Sequence, residues 1–165
     1  MRAAPPLAPI LKPFCAAVLA VGLAGAAWAQ DVAVLKSVSA PAMVRILGQL
    51  GMDPGEPEKL ASGNIRIPIA TEAAKGSLYL YCSGKTCDGL QAASGFSMGD
   101  KPTLKTINRW NESKRYSRAC LDEDLDPRLE SDLDLTGGVT ESAIKEFLRT
   151  YRISLKAFVK HIEFE

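Results

Sequence analysis

Hydrophobic and polar positions along this chain follow two spacings, and the switches between them mark out its elements. From Ser39, Met43, Ile46, Leu47 and Leu50 recur at helical spacing, with Pro41 in the first turn and Gly51 as the stop. Asp31–Ser37 reads as a loose leader before this helix, and Asp53–Lys59, with Pro54, Gly55 and Pro57, as a loop after it. Ile65, Ile67 and Ile69 alternate with Asn64, Arg66 and Pro68, which predicts a short strand. Pro68 cannot donate to a ladder, so this strand belongs at an edge or ends there. Ser77–Cys82 is rich in strand formers and Asp88–Phe96 supplies a second arm, which together predict a hairpin. After the Gly99–Pro102 break, a helix opens at Pro102 or Thr103 with Leu104, Ile107 and Trp110 on one face. Tyr116–Asp122 reads as a strand and Asp122–Pro127 as a turn. From Arg128, the residues Arg128, Glu130, Asp132 and Asp134 face one side and Leu129, Leu133 and Leu135 the other, a strand wet on one face. Gly137-Gly138 interrupts it, and Thr140 caps a last helix. There Ile144, Phe147, Leu148, Tyr151, Leu155, Phe158, Val159 and Ile162 hold one apolar stripe for about five turns. The order α-β-β-β-α-β-β-α predicts a single α+β domain, a mainly antiparallel sheet packed by helices.

The N-terminus follows neither spacing. Arg2 and Lys12 are the charges ahead of Asp31, Phe14–Ala27 carries none, and the run ends in Ala27-Trp28-Ala29. A basic start, a short apolar stretch and small residues before the cut describe a secretory signal cleaved after Ala29. A retained membrane anchor is the rival, but a spanning helix needs about 20 apolar residues, and this shorter run contains Gly22 and Gly25. Cys15 precedes the apolar core, whereas lipid attachment needs a cysteine behind it. The expected organisation is therefore a signal over residues 1–29, a leader over 30–38 and the domain over 39–165, exported to the periplasm or beyond. Losing Arg2 and Lys12 moves the formal charge from +1 to −1. A near-neutral domain lacks the concentrated basic face that nucleic acid requires. The remainder holds no second long apolar run, so no stable membrane insertion is expected after cleavage.

Export changes the reading of the cysteines. Cys82, Cys87 and Cys120 stay with the domain, in a compartment that permits disulfides. Cys82 and Cys87 flank Ser83-Gly84-Lys85-Thr86, a turn that can bring two strand residues within bridging distance. Metal binding and thiol redox chemistry are the alternatives. The spacing is at the edge of the zinc patterns, with no second cysteine pair and with His161 as the sole histidine, and redox pairs use two intervening residues rather than four. Cys120, between Ala119 and Leu121, reads as a buried inert thiol.

Other motifs fail on their defining residues. A calcium loop begun at Asp122 would take Asp124 and Asp126 as ligands, but its sharp-turn glycine is Pro127 and its closing glutamate is Leu133, leaving a solvated turn. Ser83-Gly84-Lys85-Thr86 lacks the leading glycine of a phosphate loop, where Tyr79 stands. His161 suits the last helix's C-terminal dipole better than it suits catalysis, since a Cys120–His161 nucleophile would need both side chains together. No cofactor is called for. Asn108, Trp110, Asn111, Arg115 and Arg118 remain open to two readings. Asn108 with Asn111, and Asn111 with Arg115, share a helical face if the helix continues. They either bond the adjoining strand and cap the helix around a buried Trp110, or form a polar partner-binding groove with Trp110 and the arginines as anchors.

The residues Ile107-Asn108-Arg109-Trp110-Asn111, Arg115-Tyr116-Ser117-Arg118-Ala119, Leu129-Glu130-Ser131-Asp132-Leu133-Asp134-Leu135 and Gly137-Gly138-Val139-Thr140 resemble the YbjN family, a bacterial group described as sensory transduction regulators. The resemblance is specific across about Pro102–Glu165 and extends from Ser39 onward, and the Tyr81-Cys82 to Cys87 and Leu90 hairpin is similar to exported members. It implies a fold like that of type III secretion chaperones, in the same α-β-β-β-α-β-β-α order. It implies no enzymatic reaction, ligand or catalytic residue. The expectation is a non-enzymatic interaction or regulatory module that binds a protein or peptide through the sheet's open face or the long helix, with homodimerisation left open. A small-molecule sensor or carrier of the cell envelope, using a pocket between helix and sheet, is the alternative, and a hydrolase stands third.

Overall fold

The computed structural model describes residues 33–84 and 86–164, so the export signal and its cut after Ala29 lie outside the described residues. The first helix, α1 (Ala40–Gln49), follows Ser39, takes Pro41 in its opening turn and buries Met43, Ile46 and Leu47. Gly51 at φ 66° then reverses the chain, in a conformation that glycine adopts at little cost. The loop expected over Asp53–Lys59 holds two two-residue strands, β2 (Asp53–Pro54) and β3 (Glu58–Lys59). Both pair with the outer side of β4 (Ile65–Ala70), at its two ends. Between them Gly55 donates to the Pro68 carbonyl at 2.8 Å, where Pro68 has no N–H to offer in return. β4 thus continues through the proline, and its edge pairing is what breaks.

Strands β5 (Lys75–Ser83), β6 (Thr86–Gly95), β7 (Arg118–Leu121) and β8 (Pro127–Asp134) complete the sheet. The order is β2-β4-β5-β6-β8-β7 with β3 beside β4, and every pairing is antiparallel. The register sorts side chains by face. Ile67 and Ile69, Leu78 and Leu80, Leu90 and Ala92, Leu129 and Ala119 turn to the helices and enter one core cluster, and the partly buried Ile65 and Leu133 pack against it on the same face. Arg66, Ser77, Tyr79, Gln91, Ala93, Arg128, Glu130 and Asp132 turn to the opposite, open face.

Helix α2 (Leu104–Ser113) starts where Thr103 Oγ1 accepts from the Thr106 N–H, and α3 (Glu141–His161) where Thr140 Oγ1 accepts from Ala143 N–H. The α3 stripe is buried at Ile144, Leu148, Tyr151, Leu155 and Phe158, and Tyr151 Oη donates to Ser94 Oγ at 2.8 Å beneath it. Two side chains fasten α1 to α3. Arg45 reaches Glu141 at 2.8 Å, and Arg152 Nη1 donates to the Leu50 carbonyl at 2.7 Å, satisfying an orphan group at the end of α1. No helix of the described residues is long and apolar enough to cross a membrane.

The leader is less loose than its composition predicts. β1 (Val34–Leu35) pairs with β9 (Val139–Thr140), and Val38 N–H donates to the Cys87 carbonyl. Gly138 makes the first contact possible: its φ is 87°, and a Cβ there would meet Val34 Cγ1.

Candidate functional site

Sequence reasoning proposed five residues near α2, and the structure separates them. Trp110 is 1% exposed, set edge-on against Phe158 and beside His161, so it belongs to the core and cannot anchor a partner at the surface. Asn108 is exposed on α2. Asn111 turns to β7, where its Oδ1 accepts from the Ala119 N–H at 2.8 Å and its Nδ2 donates to the Ala119 carbonyl at 3.0 Å. The helical face expected to join Asn111 to Arg115 does not form. Ser113 Oγ folds back onto the Arg109 and Trp110 carbonyls, and Lys114 is already extended. Arg115 and Arg118 therefore leave α2 and reach a different place.

That place is a groove of about 640 Å³ between the β7–β8 end of the sheet and α3. Arg115, Tyr116, Ser117 and Arg118 form one wall, Glu130–Leu133 the floor, and Ala143, Glu146, Phe147 and Thr150 the other wall. Its origin is a mismatch in strand length. β8 runs eight residues, whereas β7 runs four and pairs only with Pro127–Glu130. Ser131–Asp134 consequently pair with β6 alone among the described residues. Leu135 N–H donates to Asp88 and Phe96 N–H to Pro127, so the odd-numbered residues of β8 bond toward β6. The N–H and C=O groups of Asp132 and Asp134 then point away from β6, those of Asp132 beside the groove.

Charges and hydroxyls hold the rim. Arg118 Nη2 meets Glu130 at 2.7 Å and its Nη1 meets Asp132 at 3.2 Å, while Ser131 Oγ donates to the Tyr116 carbonyl at 2.6 Å and ties the segment before β7 to β8. The Ser117 hydroxyl is buried without a partner. A polar ladder ties this rim to the hairpin: Tyr81 Oη donates to Gln91, and Gln91 Nε2 donates to Asp132 Oδ1 at 2.9 Å. Sequence reasoning missed Leu133, Phe147 and Thr150 as groove residues. The sequence predicts the neighbouring strand over Tyr116–Asp122, whereas β7 is confined to Arg118–Leu121, and that shortening leaves the edge of β8 open.

The matched region covers the sheet, all of α2 and α3, and the groove: the YbjN family model, described as "Putative bacterial sensory transduction regulator", matches residues 45–164. The chain belongs to the YbjN family. No curated protein and no solved structure matches the chain. Membership supports a regulatory or interaction module, and the element order expected from the YbjN resemblance broadly matches the observed one, which adds the two-residue strands β1, β2, β3 and β9.

The remaining candidates of this YbjN chain are placed apart from the groove or from each other. Cys82 and Cys87 are direct partners in the β5–β6 register across the Gly84 turn and form a disulfide, which leaves neither thiol for a metal. Cys120 is half-buried rather than buried, because its apolar neighbours point to the opposite face; it lies opposite Arg128 on the open side. Burial, followed by the Glu130 charge, pushes its thiol pKa up and keeps it protonated. His161 lies on the helical side, with Nε2 2.8 Å from the Thr106 carbonyl, so the sheet stands between it and Cys120. Among the described residues, no group of three or more His, Cys, Asp or Glu side chains is placed to hold a metal ion.

Proposed function

We propose that this YbjN-family domain is an exported, non-enzymatic regulatory module that binds an extended segment of a protein partner along the open edge of β8. The single-sided pairing of Ser131–Asp134 carries the reading. An exposed edge offers main-chain hydrogen bonds to an added strand, and pockets beside it select alternate side chains. Here the pocket wall is Phe147, Ala143 and Thr150 of α3. The alternative, a small-molecule sensor with a pocket between helix and sheet, has less room, because Leu148, Tyr151 and Leu155 fill that interior at 0% exposure. Export is supported by the charge-free run Phe14–Ala27 and is compatible with the Cys82–Cys87 disulfide.

A photocrosslinking residue at Thr150, read in cells with and without Asp132→Pro, tests the docking site. The N–H lost in that variant faces outward, so the β6 ladder keeps its bonds while an added strand loses one. The expected outcome is a crosslink to a defined partner segment that disappears in Asp132→Pro. An unchanged crosslink would rule out strand addition.

A further inference from the structure

We propose that the segment accepted at this edge alternates cationic and apolar residues, and that a second copy of this chain is a poor occupant. The inference rests on strand addition at Ser131–Asp134 and supplies the chemistry of the added strand. In an antiparallel pair, directly opposed residues place their side chains on the same face, about 5 Å apart. Asp132 and Asp134 carry the outward backbone groups, so they are the residues an added strand must oppose. Their side chains lie on the open face, where the opposed positions of the guest fall beside two carboxylates.

Both carboxylates accept hydrogen bonds from neighbouring donors. Asp134 accepts from the Thr136 N–H and hydroxyl at 2.8 Å each, which holds its carboxyl below the usual range, and Asp132 accepts from Gln91 and Arg118. The Arg118 guanidinium is already engaged by Glu130 and Asp132. Among the residues that line the groove, Glu130, Asp132 and Glu146 outnumber Arg115 and Arg118, while Arg128 also meets Glu130 at 3.6 Å and Arg149 meets Glu146 at 3.7 Å from outside it. The guest's intervening residues face the other way, toward Leu133 and Phe147, where apolar side chains bury best. Lysine or arginine at every second position, with aliphatic residues between, matches both faces at once.

The same parity disfavours self-association. When two β8 edges pair antiparallel, the mutually bonded positions are drawn from Asp132 and Asp134 of each copy, in any register. Each such pairing sets carboxylate against carboxylate, and like charges directly opposed destabilise a sheet.

Three short labelled peptides separate the outcomes: alternating Lys and Val, alternating Glu and Val, and Lys and Val in two blocks. Binding to the purified protein is read by fluorescence anisotropy at low ionic strength and by hydrogen exchange of the Asp132 and Asp134 amides. The alternating Lys peptide is expected to bind and to protect both amides. The Glu peptide should bind about tenfold more weakly, about threefold for each of the two charge pairs. Asp132→Asn should narrow that gap to about threefold, whereas Asp132→Pro should abolish binding of both alternating peptides. Equal affinity for the Lys and Glu peptides, with protection intact, would overturn the charge reading and leave strand addition standing. Equal affinity for the blocked peptide would overturn the alternation. No binding and no protection with any peptide would overturn strand addition itself. A concentration-dependent dimer in sedimentation that Asp132→Pro dissolves would overturn the exclusion of self-pairing.

Discussion

The Asn111 carboxamide satisfies both backbone groups of Ala119 on the side of β7 away from β8. Asn111→Ala leaves that N–H and C=O without their partner and should cost about 1–3 kcal/mol, read as a lower urea midpoint. Asn108→Ala, three residues earlier on the same helix and exposed, should stay within about 0.5 kcal/mol. The two asparagines look alike in sequence, since nothing local says that only one faces a strand edge. Glu141 makes a second residue-scale case. Hydrogen bonds from Arg45 and then Lys145 lower its carboxyl from the usual 4.5 to about 2. A pKa depressed by folding gives stability that is present above the unfolded value and lost as pH falls through the folded one. The stability difference between wild type and Glu141→Gln should therefore be constant above about pH 5 and close as pH approaches 2, in denaturation series at several pH values.

Among the elements, the β5–β6 hairpin is the most directly testable. Its disulfide closes a loop of about six residues, and chain entropy puts its contribution at about 2 kcal/mol. The Cys82→Ser, Cys87→Ser double variant should lose about that much in thermal or urea unfolding, while intact mass with and without reductant reports the bond itself. Elements with a sustained period were legible in the sequence. α3 keeps its stripe from Ile144 to Phe158, and β8 alternates over its whole length. β1, β2 and β3 were not legible, since two residues carry no period and their pairing depends on distant partners: Val34 with Thr140, Asp53 with Ala70 and Glu58 with Arg66. The end of α2 was missed because Ser113 competes for the Arg109 and Trp110 carbonyls. Of the candidate site, Arg115 and Arg118 were named. Phe147 and Leu133 were not, because apolar residues on a core stripe look the same whether they are sealed or line a groove.

At the scale of the whole molecule, export and docking make separate predictions. Protein recovered from its native host should begin at Gln30, as intact mass would show; a chain retaining Phe14–Ala27 and sedimenting with membranes would count against export. The distribution of closed and open sheet edges has a further consequence. β4 is covered on its outer side by β2 and β3 around a proline, and β7 is interrupted at Ala119 by Asn111. A strand array propagates only if each unit offers two landings, one to accept the previous strand and one to pass the array on. If the step at Ser131–Asp134 is the landing, strands β4–β8 offer a valence of one among the described residues. The domain would then terminate a growing strand array rather than extend it, and Asn111 is the side chain whose loss would raise that valence.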